Sequence, residues 1–273
     1  MIDLCAIPLT RAPWPQVFGS HSTWHVWCVL LLIWIPAACT HLPTRTVPTD
    51  DAAVHLMADL VQINKALKQF KCVARITLTG PDRPAQTFRA AIAGQYPNRL
   101  RIDLLAPFGG AAANFSSDGN HLYLVNHRSR EYHKIRLGAG SLSRLLHVDV
   151  TVEELVELLL GRVPMASKWQ AKMTETESRA LSGLAFHDIW GIERQRIDLN
   201  ADRRPVGATW YDRRHHAVQR LVIDALQVVD GFDLPESLEL KANSGDRVKV
   251  RIERYMPNAP IKDSLFILEP LPS

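Results

Sequence analysis

Residues 98–126, NRLRIDLLAPFGGAAANFSSDGNHLYLVN, decide the fold. The first part alternates strictly, with Leu100, Ile102 and Leu104 on one face and charged residues on the other, which is typical of a strand with one buried and one solvated face. The small residues after the next turn predict a second strand, and residues 118–120 predict a hairpin turn into a third. We therefore expect an antiparallel meander here.

The turn between the first two of these strands is Ala106-Pro107-Phe108-Gly109-Gly110. Proline presets φ and glycine accepts positive φ, so the composition predicts a turn. Phe108 stands at its tip, where a polar residue is the usual choice. Two interpretations remain open for Phe108: its ring folds back into the core, or it is exposed on a protruding loop.

Three stretches together resemble the LolB family of outer-membrane lipoprotein receptors. Residues 98–115 resemble its strand followed by an Asn-Pro-Leu-Gly loop, although this chain has Ala-Pro-Phe-Gly-Gly there. Residues 152–164, VEELVELLLGRVP, resemble its leucine-rich helix, and residues 234–255 resemble its last hairpin. The tail, residues 258–273, looks more like the ending of LolA-like relatives.

The resemblance implies an incomplete barrel with a helical lid and an apolar cavity. It implies that Pro107, Phe108 and Gly109 form a loop that helps lipoproteins enter the membrane. It also implies that a soluble, periplasmic LolA-like carrier delivers the cargo, and that the acyl chains of lipoproteins or other lipids are what the cavity binds. No nucleotide is needed for transfer of this kind.

The first 38 residues differ from the rest, because they hold four of the seven tryptophans and a single basic residue, Arg11. Residues 24–38 are apolar apart from His25, and a run this short is typical of a signal peptide, since a membrane span needs about 20 residues. Ala37-Ala38-Cys39 resembles a lipobox, which predicts lipidation of Cys39. A short N-terminal membrane anchor is the alternative.

These observations divide the chain into a signal peptide (1–38), a lipidated cysteine with a tether (39–51) and a LolA/LolB-like domain (52–273). Residues 41–51 are rich in proline and threonine and predict the tether. The mature chain would hold only Cys39 and Cys72. The position of Cys72 in a strand pattern predicts a small buried hydrophobic residue.

Patterns along the domain predict an α+β fold, with about eleven antiparallel strands in an unclosed β-barrel covered by helices. An amphipathic helix is expected over residues 52–70 and a second over 152–160, opened by a Thr151/Glu154 capping box. Residues 167–183 are polar and irregular and are read as a connection. The strands are expected at 72–78, 86–95, 99–105, 111–117, 121–125, 131–136, 193–199, 206–212, 218–229, 236–241 and 247–255.

The inner face of such a barrel is apolar. Seven residues are expected to line a lipid cavity: Ile76, Leu78, Leu100, Ile102, Leu104, Leu122 and Leu124. Alternation looks the same for a cavity and for a packed core, so both remain open.

Residues that carry chemistry are sparse. No glycine-rich phosphate loop and no GxSxG elbow occurs, and His121, His127 and His133 lack the tight spacing of zinc ligands. The net charge of +4 is mild and the basic residues alternate with acids along strands, which disfavours nucleic-acid binding. We therefore expect no enzyme activity, no cofactor and no metal.

The function expected from the sequence is that of a monomeric, lipid-anchored receptor on the periplasmic face of the outer membrane, which binds acyl chains and receives and inserts lipoproteins. The alternative is a structural or accessory envelope lipoprotein with a packed core and no cargo. A co-purifying lipid would separate the two.

Overall fold

An antiparallel sheet of thirteen strands dominates the part of the chain that the computed structural model describes. That part comprises residues 50–106, 110–138, 142, 146–166, 168–175 and 182–271, without the side chains of Arg83 and Glu175. All of it belongs to one compact unit, Val47–Ser273. The signal peptide predicted for 1–38 lies outside the described residues.

The strands follow the chain in order, with these bounds: β1 Gln69–Gly80, β2 Arg83–Gln95, β3 Arg99–Leu105, β4 Ala111–Asp118, β5 His121–Asn126, β6 Glu131–Arg136, β7 Gln170–Glu175, β8 Ser182–His187, β9 Glu193–Leu199, β10 Pro205–Tyr211, β11 Ala217–Val229, β12 Phe232–Ala242 and β13 Arg247–Pro257.

The order of strands across the sheet is β6-β5-β4-β3-β2-β1-β13-β12-β11-β10-β9-β8-β7. Hairpins build each half, and the pairing of β1 with β13 joins them, with Ile76 opposite Val250. Strands β6 and β7 end the order and do not pair with each other, so the sheet is unclosed. The prediction of an antiparallel, unclosed sheet is confirmed, and the fold is mostly β.

The predicted count of eleven strands is wrong, because β7 lies within residues 167–183, which were predicted to form an irregular connection, and β8 begins at the end of that stretch. Strand β8 buries Leu184 and Phe186 completely. Gly183 occupies its second position, where an added Cβ would lie 2.6 Å from the carbonyl oxygen of Ile197 in β9. Glycine here allows close approach of two strands, whereas the sequence analysis placed Gly183 at the end of the irregular connection.

Helix α1 spans Asp51–Gln62 and is shorter than the predicted 52–70. Asp50 caps it by accepting a hydrogen bond from the backbone N–H of Ala52 at 3.1 Å. The helix ends because Asn64 adopts a left-handed conformation, with φ of 53°. Leu67 and Phe70, which were predicted on the helix, are fully buried, but they follow this turn and Phe70 belongs to β1.

Helix α2 spans Val152–Leu159 and begins with the predicted capping box. Thr151 accepts from the N–H of Glu154 at 3.1 Å, and the Glu154 carboxylate accepts from the N–H of Thr151 at 2.8 Å. Five of its eight residues are buried. At its end, the Tyr255 hydroxyl of β13 donates to the carbonyl of Leu159 at 2.9 Å, so α2 is fixed to the centre of the sheet.

The C-terminal tail packs on the face of β3 and β4 opposite to Leu100 and its neighbours. A 3-10 turn, Asp263–Phe266, buries Phe266 completely. Ser116 donates to the carbonyl of Phe266 at 2.8 Å, and Arg101 donates to that of Leu265 at 3.0 Å. The charged outer face of β3, expected to be solvated, therefore holds the tail.

The main core lies between the sheet and α2 and includes Cys72, which is 2% exposed. Burial raises the pKa of its thiol to about 12, so Cys72 remains protonated and acts as the predicted small hydrophobic residue. Within the described residues, no helix is both long and apolar enough to cross a membrane.

Candidate functional site

An apolar cavity of about 170 Å³ lies between strands β1–β5 and a covering segment that consists of Leu142, Leu146 and helix α2, which carries Leu155. The sheet supplies seven lining residues and the covering segment three. All ten are aliphatic or aromatic: Ile76, Leu78, Phe88, Ile102, Leu104, Phe115, Leu124, Leu142, Leu146 and Leu155.

The sheet residues that line this cavity retain contact with solvent. All except Ile76 are partly exposed, although they point towards the covering segment and not to the outer face. A fully packed core leaves no such access. The inner face of β1–β5 is therefore incompletely covered.

Five of the seven residues predicted to line a cavity do line it: Ile76, Leu78, Ile102, Leu104 and Leu124. Leu100 and Leu122 are 0% and 2% exposed and belong to the closed core next to it. The inner face predicted from alternation thus divides into a packed part and an open part. That the five residues bind acyl chains stays a prediction.

The cavity walls suit hydrocarbon and offer no group for chemistry. No polar or charged side chain lines the cavity, and a buried polar ligand group would lose its hydrogen bonds with water without replacement. Its volume resembles that of an apolar cavity of about 150 Å³ that accepts one benzene ring. In this conformation it therefore accommodates a short hydrocarbon segment.

Comparison with known proteins places the fold. No protein-family model and no curated protein matches the sequence. A LolA superfamily protein from Nitrosomonas europaea superposes with a TM-score of 0.55 at 14% identity, over 79% of this chain and 97% of that one. The protein has a LolA-like fold.

Two further solved structures share this LolA-like fold. A domain from Vibrio parahaemolyticus, whose name assigns it to outer membrane lipoprotein sorting, superposes with a TM-score of 0.58 at 11% identity, over 79% of this chain and 96% of that one. A DUF1329 family protein from Desulfovibrio piger gives 0.59 at 11% identity, over 80% and 96%. The neighbours support a LolA-like fold and do not single out LolB.

Sequence reasoning missed five residues of the cavity in the LolA-like sheet. Phe88 pairs with Ile76, and Phe115 pairs with Ile102, so strand register places both on the inner face. Extending the alternation across each hairpin would have found them. The remaining three, Leu142, Leu146 and Leu155, come from the covering segment, whose position depends on tertiary packing.

The C-terminal end of α2 is fixed beside this cavity by polar contacts. Asn64 donates to the carbonyls of Leu160 at 2.9 Å and Asp233 at 2.6 Å, and accepts from the N–H of Asp233 at 3.2 Å. Arg162 donates to the carbonyls of Asn64 at 2.8 Å and Leu67 at 2.5 Å. These bonds tie α2 to the turn after α1 and to β12.

Burial shifts two ionisable groups near the end of α2. The pKa of Glu157 is raised, chiefly by burial and then by the charge of Glu153, and Arg162 opposes this. Burial lowers the pKa of Arg162, while Glu157 opposes that shift. The Arg162 guanidinium also lies over the Tyr96 ring, 5.3 Å from its centroid. These groups lie outside the cavity lining.

The loop that was predicted to contact membranes, Pro107, Phe108 and Gly109, lies outside the described residues, and so does Cys39. The strand ends that flank the loop are described. The N–H of Ala106 donates to the carbonyl of Gly110 at 3.1 Å, which continues the β3–β4 ladder up to the loop.

Of the three histidines considered as metal ligands, His121 and His127 make separate contacts. His121 lies 3.6 Å from a carboxylate oxygen of Asp118, and His127 forms a hydrogen bond with Asn114. Among the residues that the structure describes, no group of three or more histidine, cysteine or acidic side chains is arranged to hold a metal.

Proposed function

We propose that the protein is a non-enzymatic, lipid-anchored receptor at the outer membrane that binds acyl chains in its apolar cavity. It faces the periplasm, accepts lipoproteins from a LolA-like carrier and inserts them into the membrane without nucleotide or cofactor. The wholly apolar lining of the cavity is the observation that supports this proposal.

Hydrocarbon burial supplies the driving force for such binding. Each methylene removed from water contributes about 0.8 kcal/mol. A receptor of this kind must also release its cargo, and walls without polar groups bind acyl chains by contact area alone. Affinity then falls steeply as each methylene leaves the cavity, so a bilayer can take the chains.

The cavity must widen before it holds complete acyl chains, because about 170 Å³ suffices only for a short segment. Hydrogen bonds fix the C-terminal end of α2, whereas Leu142 and Leu146 line the cavity from the segment before α2. In our proposal Leu142 and Leu146 move away from the sheet when cargo enters.

The small volume also favours the second candidate, a structural or accessory envelope lipoprotein without cargo. The two are separated by photo-crosslinking the full chain in vesicles with a diazirine analogue of palmitate, followed by peptide mapping. A receptor yields adducts on peptides that carry Ile102, Phe115 or Leu146. Adducts confined to residues 1–49, or none, would favour the structural candidate.

A matched pair of variants sharpens this test. Ile102→Phe fills the cavity and should reduce crosslinking at least about tenfold. The acyl chain then loses its contact with the cavity walls, and burial of that apolar area is worth more than about 1.4 kcal/mol. Ile223→Phe makes the same change at a partly buried position that packs against the core without lining the cavity. Equal crosslinking in both variants would contradict the proposal.

Lipidation of Cys39 is tested separately. Metabolic labelling with an alkyne fatty acid should label the wild type and not Cys39→Ala. Stable anchoring requires at least two acyl chains, because one gives only marginal binding. Label that persists in Cys39→Ala would contradict lipidation at Cys39, whereas a wild type without label would support the N-terminal anchor.

A further inference from the structure

The hairpin turn between β8 and β9 holds two large apolar side chains in water. Ile189 is 84% exposed and Trp190 is 79% exposed. The Asp188 carboxylate accepts from the N–H of Trp190 at 2.9 Å and of Ile192 at 3.1 Å, and the N–H of Gly191 donates to the Asp188 carbonyl at 2.9 Å. The turn is therefore well defined, and its geometry keeps both side chains away from the core.

Exposure of this kind is unusual for tryptophan in this domain. Trp169 and Trp210 are partly buried and pack against the core. Adjacent exposed apolar side chains on a convex tip mark a contact surface. Tryptophan combines an apolar ring with an N–H donor, and this combination suits the boundary between lipid headgroups and acyl chains.

The neighbouring hairpin places cations beside this tip. Because the strands are antiparallel, the turns after β8 and β10 lie at the same end of the strands. They are two strand spacings, or about 10 Å, apart. The second turn carries Arg213 and Arg214, which are exposed and form no ion pair with any described residue. Guanidinium groups bind phosphate in a bidentate manner.

The charges of the two turns are balanced. Asp188 and Asp212 each accept hydrogen bonds from backbone N–H groups of their own turn, at 2.8–3.1 Å. The carboxylates are thus already satisfied, while the guanidinium groups of Arg213 and Arg214 are available. The surface presents no net negative charge that would repel lipid headgroups.

The length of the N-terminal tether limits how far this end of the strands can lie from a bilayer. Asp50, where the described chain begins, accepts from the N–H of Met173 in β7 at 3.1 Å, and Met173 pairs with Leu184 in β8. Trp190 follows Leu184 by six residues, which span at most about 20 Å. Eleven residues join Cys39 to Asp50 and span at most about 40 Å, so these lengths allow the tip to contact the membrane to which the N-terminus is attached.

We propose that the β8–β9 tip, Ile189 and Trp190, is a second membrane contact that inserts into the interface of the bilayer to which the N-terminus is attached. Arg213 and Arg214 lie at headgroup level beside it. The inference rests on the membrane attachment in the proposed function, and holds whether that attachment is a lipidated Cys39 or an N-terminal anchor. It does not depend on cargo in the cavity.

The test uses the full chain in vesicles of phosphatidylethanolamine and phosphatidylglycerol, with plain or brominated acyl chains. Subtracting the emission of Trp190→Phe from that of the wild type isolates Trp190 from the six other tryptophans. The Trp190 emission should shift to the blue and lose at least about half its intensity in brominated vesicles.

Two further variants serve as a matched pair. Ile189→Asp should restore emission typical of a solvated indole, because it adds a charge beside Trp190. Val228→Asp alters a side chain in β11 that is 71% exposed at the opposite end of the strands, and it should leave quenching of Trp190 unchanged. Both positions are exposed, so circular dichroism melts should match that of the wild type.

Three outcomes would overturn the inference. If the chain floats with vesicles but Trp190 stays unquenched, the attachment stands and the tip contact fails. If the chain does not float, the attachment fails and the inference with it. If Trp190 emission shifts to the blue with rising protein concentration in the absence of lipid, the tip instead binds a second copy of the chain.

Discussion

The partly buried carboxylate of Glu157 is expected to destabilise the folded protein at neutral pH. Its pKa is raised above the ordinary value of 4.5, chiefly by burial, so the folded state binds the proton more tightly than the unfolded state. Stability therefore rises as pH falls through this raised pKa. Glu157→Gln should increase the melting temperature at pH 7 by about 1–3 °C, a small value because solvent screens this partly exposed group.

Calorimetry at several pH values measures this effect. The gain in melting temperature from Glu157→Gln should shrink as the pH falls to about 4, because the wild-type carboxyl then becomes protonated in both the folded and the unfolded state. Glu269→Gln removes a carboxylate from an exposed position in the tail and should change little at any pH. A lower melting temperature for Glu157→Gln at pH 7 would show that attraction to Arg162 outweighs burial.

Phe108 is predicted to act at the membrane step. An exposed aromatic ring leaves apolar area in water worth roughly 2 kcal/mol, a cost that membrane insertion or cargo contact recovers. Phe108→Glu should retain carrier binding and fold stability but block delivery of a labelled lipoprotein from carrier to liposomes. Phe108→Ala should weaken delivery less, because it removes area without adding charge. A much lower melting temperature for Phe108→Glu would instead make Phe108 a core residue.

At the level of secondary-structure elements, the side chain of Asn64 in the turn after α1 connects that turn to two other parts of the fold. Asn64 bonds to the end of α2 and to β12 while adopting a positive φ of 53°. Asn64→Gly keeps the backbone conformation accessible and removes the hydrogen bonds, so it should lower the free energy of unfolding by about 1–3 kcal/mol. Asn64→Ala should cost about 1 kcal/mol more, because alanine disfavours a positive φ.

Chemical denaturation of both variants measures this difference. Lys65 follows Asn64 and lies near the same surface, and Lys65→Ala should leave stability within about 0.5 kcal/mol of the wild type. If Asn64→Gly is as stable as Lys65→Ala, the hydrogen bonds from Asn64 do not hold the elements together.

Asn64 also illustrates what the sequence could not reveal. The apolar spacing of Leu60, Ile63 and Leu67 continues past the end of α1, so periodicity alone predicted a longer helix. A long-range partner, the backbone of Asp233, stabilises the turn that stops it. By contrast, the capping box of α2 is local and was predicted correctly, because its two partners are three residues apart.

The cavity, like the end of α1, depends on long-range contacts as well as on local sequence patterns. Alternation along β3 predicted an inner face of Leu100, Ile102 and Leu104, and all three do point inwards. Whether each position meets a packed neighbour or open space depends on where the covering segment lies, and no local pattern specifies that. Leu100 is therefore packed while Ile102 and Leu104 line the cavity.

The unclosed sheet has two edges, and the exposed charges of β6 protect one of them. Edge strands invite pairing with other chains unless charges or bulges oppose it. Five of the six residues of β6 are exposed and Tyr132 is partly buried, with Ile135 45% exposed between Lys134 and Arg136. We expect Lys134→Val to promote aggregation, because it extends an apolar run along an unpaired edge.

Static light scattering against concentration tests this expectation. Lys71→Val introduces the same side chain on β1, which pairs on both sides, and should leave the protein monomeric. Equal scattering from the two variants would show that the β6 edge is shielded by something other than its own charges.

Strand β13 has a consequence for the order in which the protein is made and matures. It is the last strand of the chain, yet it pairs with β1 and β12 and so joins the two hairpin-built halves. The β1–β13 contact closes a loop of about 180 residues, as the Arg75–Glu253 pair shows with a separation of 178. Contacts of this length are slow to form. During synthesis, which starts at the N-terminus, the first six strands emerge while the edge of β1 that pairs with β13 has no partner. That edge of β1 stays unpaired until residues 247–257 of β13 appear, so it is open to pairing with other chains for most of synthesis.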